Sequence, residues 1–355
     1  MSDGVVQKTM GLFGANCLTV EQDFQGLPNR YNNHNLDGKK LLVIREGGAG
    51  DLLFNTPVFK YLKEKYPTCE IGLACMPVYS SLFNNHPHID KVYPHVMSYE
   101  EFQIYDYFAT FEGIIETNID AQFINAYDLF IERYGISLTE IPDKTPIISV
   151  SDRTKEFWIS VLGHRLGQKN IGIQLRASSP VRTIPLEMNA EIIRKLINSG
   201  YTVFLLDSLS RKQDIANFIA SFQLYEAVDA SKYSDNFERL AGIISLMDLF
   251  VGPDSSGTHI AAALDKPIVG LYGPFRSHLR LKYYKKAVGI DAQAQRCNSG
   301  RGCYQHEYSL CNFAIELGID QAPCWSLLNT DIVVQQVEKL WNKVYTKDKE
   351  LVNAS

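Results

Sequence analysis

Apolar residues fall in short blocks along this chain, and the blocks alternate between two periods. Leu41 to Ile44 is a continuous apolar run, which reads as a strand buried on both faces. From Leu52 through Leu62 the apolar positions recur at helical spacing, and Pro67 ends that segment. Ile71 to Ala74 predicts the next strand, Val92 and Tyr93 a third, and Asn125 to Tyr134 a further helix. The pattern restarts after Ile141 to Thr154, a polar stretch with two prolines. Asn170 to Leu175 predicts a strand, Met188 to Ser199 a helix ended by Gly200, Thr202 to Leu206 a strand, and Phe237 to Met247 a helix. Leu249 to Val251 is a short run broken by Gly252 and Pro253; a polar turn and an alanine-rich helix follow, to Leu264. Pro267 opens the run Ile268 to Tyr272, and Gly273-Pro274 closes it.

Strands alternating with helices predict the α/β class, with doubly wound parallel sheets covered on both faces. The restart after residue 154 predicts two such domains facing each other across a cleft. The expected division is an N-terminal extension over 1–38, a first domain over 39–150, a second over 155–330, and a helix and tail over 331–355. The last helix, about Asp331 to Val344, is expected to pack back onto the first domain.

Length and charge narrow the class. The 355 residues suit two domains, and 45% hydrophobic with 21% charged residues is a core-forming composition. A net charge of -5 disfavours non-specific binding of long nucleic acid. No apolar run reaches bilayer-spanning length, and the N-terminus lacks a secretory signal, so a cytoplasmic enzyme is expected, with peripheral membrane contact left open.

Three stretches carry candidate chemistry. In Asp254-Ser255-Ser256-Gly257-Thr258-His259, small hydroxyls and the free N–H groups of a helix start meet the carboxyl end of a strand, a place suited to phosphate. The bland alternative is a βαβ turn in which Asp and Ser only cap the helix. In Lys40 to Pro57, Gly47, Gly48 and Gly50 let the backbone turn sharply, and Asp51 stands at the start of a helix. Asp51 reads either as a helix cap or as an acid facing the cleft. The loop is neither a P-loop, since no Lys-Ser/Thr follows, nor a full GxGxxG. In Ile173 to Leu186, Ser178, Ser179 and Arg182 share one loop, a set suited to a diphosphate or to simple solvation.

Together these stretches resemble glycosyltransferase family 9, whose best-known members are the ADP-heptose:lipopolysaccharide heptosyltransferases. The resemblance rests on Ile44-Arg45, Gly47, Gly50-Asp51 and Thr56-Pro57; on Ser178-Ser179, Arg182 and Ile184-Pro185; and on Asp254-Ser255, Gly257, His259, Ala261 to Leu264, Pro267, Val269 and Leu271 to Pro274. It implies a GT-B fold and transfer with inversion, with Asp51 taking the acceptor proton and Arg182 acting on the leaving diphosphate. It implies a nucleotide-diphosphate sugar, ADP-sugar favoured, held by Ser178, Ser179, Arg182, Asp254, Ser255, Ser256, Gly257, Thr258 and His259. His259 reads equally as a helix residue satisfied by the backbone. A glycan or glycolipid acceptor would sit by Gly47, Gly48, Gly50 and Asn55. No catalytic cofactor is implied, and the chain contains no Asp-x-Asp.

The chain also departs from the family pattern. Gln174-Leu175-Arg176 replaces His-Pro-Gly, Ile184 replaces a Trp, and Ser256 replaces a glycine. Asp207-Ser208 stands where a ribose-holding Glu is usual. These changes put the adenine nucleotide and the heptose in question. A non-catalytic nucleotide-sugar or glycan-binding module, or transfer to a protein or nucleic-acid acceptor, remains open on sequence alone.

Of seven cysteines, Cys297, Cys303, Cys311 and Cys324 cluster late in the chain. Their spacing lacks C-x2-C pairs, so structural zinc or iron, disulfides and free thiols all stay open, with His306 a substitute ligand. Some family members carry a comparable cluster, which favours the metal.

Overall fold

The computed structural model describes residues 27–93, 97–274, 276–292 and 311–352. The chain divides into two compact units, Met1–Ser149 and Val150–Ser355. Each is built on one sheet in which every pairing is parallel.

The first unit holds β1 (Asn29–Arg30), β2 (Lys40–Ile44), β3 (Glu70–Ala74), β4 (Lys91–Tyr93) and β5 (Tyr107–Thr110), in the order β1-β5-β2-β3-β4. Leu41 to Ile44 are fully buried, with Val43 registered between Leu73 and Ala109. That placement at the centre of a sheet covered on both faces is why the run is apolar without alternation. The chain first builds β3 and β4 on one side of β2, then returns to place β5 on the other. The gap between β2 and β5 is therefore a topological switch point.

Three features differ from expectation. Residues 27–38 belong to the sheet and its core: β1 pairs with β5, and Tyr31 and Leu36 are buried. Residues 1–26 lie outside the described ones. The helix expected over Leu52 to Leu62 is two helices, Ala49–Leu53 and Thr56–Lys65. Pro57 has no N–H for the Leu53 carbonyl, and the Thr56 hydroxyl donates to that carbonyl instead, at 2.8 Å. β5 gives no periodic signal because it is four residues long.

The second unit holds β6 (Asn170–Ile173), β7 (Thr202–Leu205), β8 (Val228–Asp229), β9 (Leu249–Pro253), β10 (Ile268–Tyr272) and β11 (Ala287–Asp291). The order is β11-β10-β9-β6-β7-β8, the six-strand order of dinucleotide-binding folds, with its switch point between β6 and β9. β9 runs on through Gly252 and Pro253 rather than stopping before them. As the last residue of the strand, Pro253 lacks only a ladder donor that is not needed there. A helix at Asp152–Leu162 opens the unit, within the stretch expected to be a boundary and just beyond it.

The C-terminal helix, Thr330–Val352, packs in the second unit. Val333, Val337 and Leu340 recur on one face and join the core formed by Ile192, Leu196 and the strands β6, β7, β9 and β10. The Tyr345 hydroxyl donates to the Asp248 carbonyl at 2.7 Å. No helix among the described residues is long and apolar enough to cross a membrane.

Two outcomes follow from this packing. Leu340→Ala should lower the unfolding free energy of the second unit by about 2–5 kcal/mol in urea denaturation, because the side chain is only 4% exposed. The second concerns His86, whose Nε2 bonds the Ile147 carbonyl at 3.0 Å and whose Nδ1 accepts from the His88 N–H at 3.2 Å. Burial, with His88 nearby, pushes its pKa down from 6.5 to about 4. The folded state then binds fewer protons, so this contribution is complete above pH 6.5 and is lost as pH falls towards 4. His86→Asn should remove up to about 3 kcal/mol of the acid-induced loss of stability, read from urea midpoints across that range.

Candidate active site

Ligands of open parallel sheets sit beyond the carboxyl ends of the strands at a switch point. In each unit the charged side chains gather there.

In the first unit, β2 delivers Arg45, only 1% exposed. One terminal nitrogen, Nη2, donates to Asp51 Oδ2 at 2.5 Å and to Glu116 Oε1 at 2.6 Å. The other, Nη1, donates to the Phe111 carbonyl at 2.8 Å and reaches Glu112 at 3.5 Å. Burial opposes the Arg45 charge, but Asp51 and Glu116 outweigh it and raise its pKa, so the guanidinium stays charged. Burial also pushes the Glu112 and Glu46 carboxyls up. The Glu112 carboxylate accepts the Glu46 N–H.

Asp51 lies in the first turn of Ala49–Leu53, but Gly48, not Asp51, is the N-cap residue. Its side chain keeps 23% of its surface exposed. The glycines differ in their reasons. A Cβ on Gly47 would lie 2.4 Å from the Arg45 guanidinium, so only glycine lets that side chain pass. A Cβ on Gly48 would meet nothing. Gly50 is the second residue of the same helix. Asn55 is fully buried: its Oδ1 accepts from the Tyr134 hydroxyl at 2.7 Å and its Nδ2 reaches the Asp51 carbonyl at 3.3 Å. Expected beside an acceptor, Asn55 instead braces the turn behind Asp51, because both ends of its amide are occupied inside.

In the second unit, the loop after β6 and the turn after β9 meet through Arg182 and Asp254. Arg182 Nη1 donates to Asp254 Oδ2 and to the Asp254 carbonyl, each at 3.0 Å, and Nη2 donates to Ser178 Oγ at 2.7 Å. His259 Nε2 lies 3.3 Å and Arg280 Nε 3.8 Å from Asp254 Oδ1. His259 Nδ1 pairs with the Tyr284 hydroxyl at 2.6 Å. Burial raises the Asp254 pKa, but the His259 hydrogen bond and the two arginines overcome it and hold the carboxyl well below the usual range.

The helix Ser256–Ala263 starts beside this pair. Ser255 donates to Gln174 Oε1 at 2.7 Å, and the Gly257 N–H donates to the same oxygen at 3.2 Å. Thr258 is buried, and its hydroxyl donates to the Pro253 carbonyl at 2.6 Å. Ser179 is buried too. Ser178 is exposed, and Arg182 and Ser256 are half-buried, so these three stand nearest to solvent. Asp207, beyond β7, accepts the Ser208 N–H at 2.8 Å, and burial pushes its carboxyl up.

In the sequence Arg45 stands out only as part of a motif and Gln174 only as a departure. Glu112, Glu116, Arg280 and Tyr284 come from other loops and share no local spacing with the residues they hold, so nothing along the chain marks them. Among the described residues no group of three or more His, Cys, Asp or Glu side chains could hold a metal. Cys297, Cys303 and His306 lie outside the described residues. Cys311 and Cys324 are buried, and Cys311 Sγ accepts the Ala314 N–H at 3.3 Å. Next to Cys324, the Trp325 indole N–H donates to the Val181 carbonyl at 3.1 Å, one residue before Arg182.

The family described as glycosyltransferase family 9 (heptosyltransferase) matches residues 125–308, just over half of the chain. This chain belongs to glycosyltransferase family 9. It is a glycosyltransferase. Lipopolysaccharide heptosyltransferase 2 of Salmonella typhimurium is 23% identical over 288 residues, covering 66% of this chain and 83% of the relative. A family 9 glycosyltransferase structure from Veillonella parvula superposes with a TM-score of 0.64 at 16% identity, covering 87% and 99%. The iron-containing dodecameric glycosyltransferase TibC of enterotoxigenic E. coli superposes with a TM-score of 0.59 at 15% identity, covering 90% and 78%. Another TibC structure is in complex with ADP-D-beta-D-heptose. The structural likenesses establish the α/β fold of GT-B heptosyltransferases for this family 9 chain.

Adjacent glycines provide a direct check on the Arg45 pocket. Gly47→Ala should destabilise the first unit by about 1–3 kcal/mol in urea denaturation. Gly48→Ala should stay within about 0.5 kcal/mol of the parent.

Proposed function

We propose that this chain moves a heptose-like sugar from an ADP-linked donor to a hydroxyl of a cell-envelope glycan or glycolipid, with inversion at the anomeric carbon. The second unit holds the donor and the first presents the acceptor. The observation that carries the proposal is Asp51: a carboxylate fixed by a buried guanidinium at 2.5 Å, yet still open to solvent at a switch point. A base for an acceptor hydroxyl needs both a fixed position and access. The acceptor proton passes to Asp51, the hydroxyl oxygen bonds the anomeric carbon, and the bond from that carbon to the diphosphate oxygen breaks. The charge left on the diphosphate falls to Arg182, helped by the hydroxyls of Ser178 and Ser256. Asp254 does not meet the diphosphate in this reading. It orients Arg182.

The choice of ADP-heptose is supported by the relatives: one is a lipopolysaccharide heptosyltransferase and another carries ADP-D-beta-D-heptose. In this reading the transfer takes place at the cytoplasmic side of a membrane, through peripheral contact. A structural iron or zinc at Cys297, Cys303, Cys311 and Cys324 accords with the iron-containing TibC and takes no part in the transfer.

Thermal unfolding with ADP and ADP-heptose tests donor binding, since a ligand of the native state raises Tm by mass action. Asp51→Asn should keep that rise and lose about 10²–10⁴-fold in transfer rate. Unchanged transfer by the variant would remove Asp51 as the base.

A further inference from the structure

Gln174 follows β6 directly at the switch point and is 8% exposed. Its side-chain oxygen is fully engaged, by the Ser255 hydroxyl at 2.7 Å and the Gly257 N–H at 3.2 Å. The backbone N–H can only donate, so the atom facing it must be the amide oxygen and the other the NH2. Gly257 is what allows this approach, since a Cβ there would lie 2.2 Å from the same oxygen. The amide is planar. Anchoring the oxygen on the helix start therefore turns the NH2 away from it. No group bonds that nitrogen among the described residues, and it is not among the polar atoms sealed from solvent. A nine-tenths buried amide thus keeps two unpartnered N–H donors open beside Ser255, next to the Asp254–Arg182 pair.

These donors are open to water, which an incoming anionic oxygen can displace while keeping them hydrogen-bonded. The helix N-terminus would ordinarily offer its own N–H groups to an anion. Here Gln174 accepts one of them and presents N–H groups of its own. We infer that Gln174 Nε2 binds an anionic oxygen of the nucleoside diphosphate, as a contact residue that carries the helix terminus outward by one side chain. This rests on the donor reading above. The amide is neutral, so it adds no titration of its own to nucleotide binding.

The test uses the full chain with ADP as probe. Side-chain 15N resonances of Gln174, assigned by their loss in Gln174→Met, are followed during an ADP titration. The expected result is a shift of the NH2 signals at saturation, with their exchange with water slowed at least tenfold. Gln174→Glu keeps both acceptor contacts beside a helix N-terminus, which favours a negative charge, so Tm should hold while ADP affinity falls at least tenfold. If ADP binds the parent but the Gln174 NH2 signals and their exchange stay unchanged, Gln174 is only a cap and the inference falls. If Gln174→Glu binds ADP as tightly as the parent, it falls as well. If the parent does not bind ADP at all, the donor reading fails first and takes this inference with it.

Discussion

Charge buried without a partner is too costly to keep, and in this protein that constraint shapes both switch points. In the first unit the buried ion is positive. Arg45 is sealed among backbone and side chains, and its guanidinium gathers Asp51, Glu112 and Glu116 around it. In the second unit the buried ion is negative. Asp254 is sealed, and its carboxylate gathers Arg182, Arg280 and His259. The outcome is complementary. One centre holds a carboxylate in a fixed position with part of its surface exposed, and the other does the same for a guanidinium. In the proposed reading these are the base and the group that meets the leaving diphosphate.

Because each exposed group is anchored by a buried one, its position is set by the core. Arg45 follows the end of β2, whose last four residues are fully buried, and Asp254 follows the end of β9. Neither is free to re-aim without breaking pairs in a region of low dielectric. Asn55 and Gln174 extend the same logic with neutral amides. Gln174 uses its oxygen and Asn55 its NH2 to hold a turn, and each so stiffens the backbone behind a charged side chain.

The fold class was legible because parallel central strands must be apolar on both faces, and Leu41 to Ile44 and Ile268 to Tyr272 announce that directly. The family was legible from the loops that follow β2, β6 and β9. What escaped notice was whatever lacks local periodicity. β1 is two residues long, and Asn29–Arg30 is exposed, so only pairing with β5 marks it as a strand. The break at Phe54–Asn55 was hidden because the apolar spacing continues across it, and only the missing N–H of Pro57 gives it away. The C-terminal helix showed its apolar face but not which core would receive it. At the site, residue types were read correctly as polar and phosphate-friendly, but direction was not. Thr258, Ser179 and Asn55 point inward, and the partners of Asp254 come from as far along the chain as Arg280.

The Trp325 indole bond to the Val181 carbonyl joins residues 144 positions apart. It fixes the loop that carries Arg182 by means of a segment near the end of the chain. On a ribosome, the strands β6 to β10 emerge well before that indole does. Until that indole has emerged the loop lacks this restraint, so a nascent chain that already contains every donor-loop residue is still without the finished loop.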